Sequence, residues 1–66
     1  MSEERTYIVE TKNAGKLVGR KVFKDTSLNY TNANKFAKEQ NSKGYEVDLI
    51  AVESGGIERV YATYIV

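Results

Sequence analysis

The sequence predicts an α+β domain: a four-stranded, mainly antiparallel sheet with one helix packed on one face, in the order β-β-α-β-β. Three observations carry this reading. Four runs rich in β-branched and aromatic residues fall into two pairs, each joined by a short turn containing glycine. Apolar and polar residues alternate with period two along residues 45–66. Between the two pairs lies one segment, residues 32–42, whose apolar residues recur with helical spacing.

Residues 1–5 are polar and are expected to fray. Residues 6–11 form the first strand. Residues 12–16 turn, with Asn13 and Gly15 tolerating positive φ. Residues 17–24 return as the second strand, in which Gly19 marks a bulge or a close approach. Pairing Ile8 with Arg20 and Thr6 with Val22 puts Ile8, Val18 and Val22 on one side. Tyr7, Val9, Leu17 and Phe23 then lie on the other.

A second turn follows at residues 25–27. Thr31 is expected to cap the helix through its side-chain oxygen. Ala33, Phe36, Ala37 and Gln40 make one narrow stripe, leaving Asn34, Lys35, Lys38, Glu39 and Asn41 to water. Gly44 ends the helix in left-handed geometry, with Lys43 near the negative end of the dipole.

In the last hairpin, placing Gly55 and Gly56 at the tip pairs Ala51 with Val60, Leu49 with Ala62 and Val47 with Tyr64. This face, together with Tyr45, receives the Phe36 edge of the helix. The reverse face pairs Ile50 with Tyr61, Val52 with Arg59 and Asp48 with Thr63. One short helix covers one face only, so the other, which includes Ile65, predicts an exposed apolar patch and hence a homodimer. Edge pairing at Val66 is an alternative geometry.

The chain of 66 residues is one domain, 1–66, and has neither cysteine nor histidine. Disulfides and thiolate metal sites are excluded, and so are the commonest general base and the best thiol nucleophile. The net charge of +1 is not the footprint of binding driven by the phosphate backbone. No stretch reads as a signal peptide or membrane span, so a cytoplasmic protein is expected. The initiator Met and an end within a strand suggest a whole gene product. The excess of lysine over arginine and the frequent asparagine suit an AT-rich bacterial or phage genome.

Candidate chemistry is sparse. Ser27, Ser42 and Ser54 sit at boundaries where serine is favoured for local hydrogen bonds. Glu3 and Glu4 lie in the frayed start, and Glu53 and Glu58 oppose each other at a hairpin end. Asp25 and Asp48 lack calcium-loop spacing, and neither Gly15-Lys16 nor Gly55-Gly56 fits a phosphate loop. The expectation is a non-enzymatic interaction protein without cofactor or metal, modulating or inhibiting a host factor from a phage or mobile element. Its partner or dimer interface would be Ile50, Val52, Arg59, Tyr61 and Ile65. The alternative is a nucleic-acid-binding sheet using Tyr7, Arg20, Lys21 and Lys24, with Arg59, Tyr61 and Tyr64. Interleaved acidic residues favour the protein interface. A dimer that sequesters a nucleotide-type small molecule is a third reading.

Overall fold

The structure is a computed structural model and describes residues 5–24 and 28–65. The turn expected at 25–27 with Asp25 and Ser27, the fraying expected of residues 1–4 with Glu3 and Glu4, and the edge pairing expected at Val66 fall outside the described residues. The elements are β1 (Thr6–Asn13), β2 (Lys16–Phe23), α1 (Asn29–Ser42), β3 (Glu46–Val52), a 3-10 turn (Ser54–Gly56) and β4 (Glu58–Tyr64). They form the expected α+β arrangement, a four-stranded sheet in the order β2-β1-β3-β4 with every neighbouring pair antiparallel.

The central positions of β1 and β3 suit their composition. Tyr7-Ile8-Val9 and Leu49-Ile50-Ala51 are continuous apolar triplets, and all six residues are buried. Strands buried on both faces lose the polar alternation seen in half-exposed ones. On the helix side, Val9, Val47 and Leu49 are sealed against Ala33 and Ala37, which let the helix approach closely. Phe23, Phe36, Tyr45, Ala62 and Tyr64 close the rim of this core.

Both hairpins depart from the expected register. Ile8 pairs with Val22 and Tyr7 with Phe23, two residues along from the expected partners, although the face assignment of these four is kept. The cause is the turn. Ala14 and Gly15 both have positive φ, 53° and 81°, as a two-residue type I′ connection requires. This tight turn starts the pairing at Asn13 and Lys16, and a bulge beside Gly19 then takes up Val18 and moves Leu17 to the face opposite the helix.

In the second hairpin the expected pairs Val47–Tyr64, Asp48–Thr63 and Leu49–Ala62 are present. Beyond them a bulge takes up Tyr61, so that Ile50 meets Val60, Ala51 meets Arg59 and Val52 meets Glu58. One extra residue turns the rest of a strand over. Val60 therefore leaves the helix face and Arg59 joins it. Both bulges lie in outer strands.

The helix begins one turn earlier than expected, after Leu28, and Thr31 lies within it. Its C-terminus ends in a Schellman motif: Gly44 N–H donates to the Asn41 carbonyl and Tyr45 N–H to the Gln40 carbonyl, with Gly44 at φ 96°. Three asparagines tie the helix to the sheet side. Asn29 is buried and donates to the Arg5 carbonyl, so Arg5 is held rather than frayed. Tyr64 donates its hydroxyl proton to Asn34 Oδ1. Asn41 Nδ2 donates to the carbonyls of Tyr45 and Ile65. Asn34 and Asn41, expected to face water, thus join the helix to the open end of the second hairpin, where β3 begins and β4 finishes.

Candidate functional site

Two surfaces concentrate exposed apolar side chains, and they lie on opposite faces of the sheet. The first is aromatic. Tyr7 projects toward the helix, and its row neighbour on β3 is Ala51, small enough for Tyr7 to meet Tyr61 of β4 across the intervening strand. Tyr30, in the first turn of α1, completes a trio of edge-on rings with centroids 5.4 to 6.3 Å apart. Tyr7 is buried, whereas Tyr30 and Tyr61 remain 42 % and 55 % exposed. Burial, with Tyr61, Tyr64 and Tyr7 nearby, raises the Tyr30 phenol above its ordinary value. Arg59 shares this side of the sheet and pairs with Glu53 at 3.6 Å.

The second surface is the face without a helix. Val22, Ile8, Ile50 and Val60 form one row across all four strands. Ile8 and Ile50 are only 4 % and 6 % exposed, while Val22 and Val60 are open. Arg20 of β2 contacts Glu10 at 3.4 Å and also Glu58 of β4 at 3.3 Å. Those two outer strands are three strand spacings apart, roughly 14 Å on a flat sheet. The twist brings their diagonal corners together, and a charged bridge spans the face above the central isoleucines. Lys12 and Thr63 both reach Asp48, at 2.9 and 3.1 Å. That contact raises the Lys12 ammonium above its ordinary value of 10.5.

The expected interface residues are therefore divided. Ile50 and Val52 lie on the face opposite the helix, and Ile50 is buried there. Tyr61 and Arg59 lie on the helix side. Ile65 is 73 % exposed beyond the end of β4, its carbonyl held by Asn41. The bulge at Tyr61 makes this division. Tyr30 belongs with Tyr61, although it precedes the expected Thr31 cap and so falls outside the helix expected from the sequence. Its signal was its position three residues before Ala33, which extends the apolar stripe back by one turn.

The residues expected to contact nucleic acid are also separated. Arg20 is held by two carboxylates on one face, and Lys21 sits on the other over the rings of Phe36 and Phe23, at 5.0 and 5.5 Å. Tyr7 is buried and Lys24 is exposed past the end of β2. Glu53 and Glu58 do not oppose each other as expected; each has its own arginine partner. Among the described residues no acidic cluster has the form of a metal site, and no helix is long and apolar enough to cross a membrane. No protein-family model, curated protein or solved structure matches the chain.

Proposed function

We propose that this chain is a non-enzymatic interaction protein that binds a protein partner through the Tyr30–Tyr61 surface, with Arg59 at its margin. The observation that carries this reading is a pair of half-exposed tyrosines locked edge-on against a buried third. Such rings offer large contact area with little side-chain freedom to lose, and Tyr and Arg dominate the energetics of protein interfaces. A second copy of the chain is the first partner to consider, since so small a domain gains disproportionately from association. A phage- or mobile-element-encoded modulator of a host factor in the cytoplasm is the physiological setting that this size and composition suit.

Light scattering on a sizing column, for the wild type and for Tyr61→Asp, tests the reading. A dimer that the substitution dissociates, with the circular dichroism spectrum retained, makes the partner a second copy. A wild-type monomer directs photo-crosslinking from position 61 toward a different protein. A metal- or cofactor-dependent turnover overturns the proposal. Nucleic acid is the second reading, supported by Lys16, Lys21 and Lys24, which pair with no carboxylate among the described residues. It requires binding that weakens steeply with salt.

A further inference from the structure

The helix lies over β1 and β3 and leaves β2 uncovered, and a groove of about 410 Å³ remains between α1 and that strand. Its floor is Thr11 and Gly19, which face each other across β1 and β2. Its walls are apolar or aromatic, from Val18, Phe36 and Tyr45. Gln40 and Lys21 supply polar groups at the margins. Arg20 also borders it, but its guanidinium is engaged with Glu10 and Glu58 on the reverse face.

Two features mark this groove. No acidic residue lines it, and the Lys21 ammonium is held at its edge by the Phe36 and Phe23 rings with no carboxylate partner among the described residues. Gly19, for its part, is not required by the backbone. Its φ is not left-handed, and a Cβ there would meet only the Thr11 Cβ, at an ordinary 3.9 Å. Glycine weakens a strand interior, yet here the fold has room for a side chain that the sequence omits. What the omission does is keep the groove open.

We propose that this groove binds a small planar aromatic anion, of which an aromatic carboxylate is the simplest. The ring would lie between Phe36, Tyr45 and Val18 above Gly19, and the carboxylate would take the Lys21 ammonium, with the Gln40 amide as a second donor. A groove of this volume, with aromatic walls beside a few polar groups, is within the size range of small-ligand sites. The charge follows from the polar groups, since the ammonium is a donor only. The site lies within a single chain and does not depend on the tyrosine surface or its partner.

Three probes sharing one ring separate the contributions: indole-3-acetate, neutral indole-3-acetamide and cationic tryptamine, each titrated into the ¹⁵N-labelled protein. Indole-3-acetate is expected to shift the amides of Gly19, Lys21, Gln40 and Tyr45 saturably at concentrations up to about 10 mM, with the acetamide about tenfold weaker and tryptamine weaker still. Lys21→Met should lower the affinity for the acetate to that for the acetamide. Gly19→Leu should abolish binding, and Gly19→Ala, whose added carbon has room, should fold and bind more weakly. Absence of saturable shifts at these amides, equal affinity for all three probes, or unchanged binding by both Gly19→Ala and Lys21→Met would overturn the proposal.

Discussion

The two faces of the sheet bury large aliphatic side chains from the same central strands, but by different means. On the helix side, Val9, Val47 and Leu49 are covered by a second layer whose contact residues, Ala33 and Ala37, are small. On the other side Ile8 and Ile50 have no layer above them. They are flanked by Val22 and Val60 and spanned by the Arg20–Glu58 bridge between the outer strands. A twisted four-stranded sheet can therefore cover part of its second face with its own edges. That cover shields the two central isoleucines, while Leu17, Val22 and Val60 stay exposed on the same face.

The largest test of this contrast is truncation at neighbouring positions of β3. Leu49→Ala should cost about 3–5 kcal/mol, because the layered core cannot collapse around the cavity. Ile50→Ala should cost about 2 kcal/mol, at the low end for such changes, since its cover of valines and long charged chains can settle inward. Urea unfolding followed by circular dichroism measures both, and equal losses would erase the distinction. Next comes the attachment of the helix. Asn41→Ala removes two hydrogen bonds that join the helix end to Tyr45 and Ile65, and should cost about 1–2 kcal/mol in the same assay.

A smaller change acts on the turn that aligns β1 with β2. Ala14 holds φ 53°, so Ala14→Asn should stabilise the chain by about 0.5–1 kcal/mol, read as a higher urea midpoint. The smallest effects belong to the charges on the face opposite the helix. Arg20→Met should change stability by less than about 1 kcal/mol, because its ion pairs are substantially exposed. Lys12 has a folded pKa raised above its ordinary 10.5. Its contribution is therefore fully present below that value and is lost as pH rises through the higher folded value. The urea midpoint should fall across that alkaline window, and Lys12→Met should flatten the fall.

Much of this architecture was legible from the residues. The two hairpins, the helix and its Gly44 terminus are dictated by local chemistry: turn glycines, period-two alternation and a 3.6-residue stripe. Strand order was not, because each hairpin is equally consistent with either of its strands at the centre. The apolar triplets in β1 and β3 suit strands covered on both sides, but Val60-Tyr61-Ala62 in the outer strand β4 is another such run, so the pattern does not by itself single out the inner strands. The candidate site was less legible because of one bulge. Nothing around Tyr61 announces an extra residue, yet it decides which face Tyr61, Val60 and Arg59 occupy. Asparagine counts also misled. Read as a compositional habit, three of the five have specific carbonyl or hydroxyl partners that only the tertiary structure reveals.

The central position of β1 and β3 has a consequence for the order of assembly. Each hairpin closes between near neighbours, and such closures take microseconds. The β1–β3 ladder instead joins Thr6 to Val52 and Lys12 to Glu46, partners separated by half of the chain or more, and closing it carries the largest loop-entropy cost. The core, which sets Tyr7 and Val9 beside Val47, Leu49 and Ala51, is therefore complete only when the two hairpins meet along their inner strands. The chain has no proline and no cysteine, so neither prolyl isomerisation nor disulfide exchange adds a slow phase. The meeting of the two hairpins along β1 and β3 is expected to limit the folding rate, which stopped-flow refolding of Ile8→Val and Leu49→Val against the wild type would check.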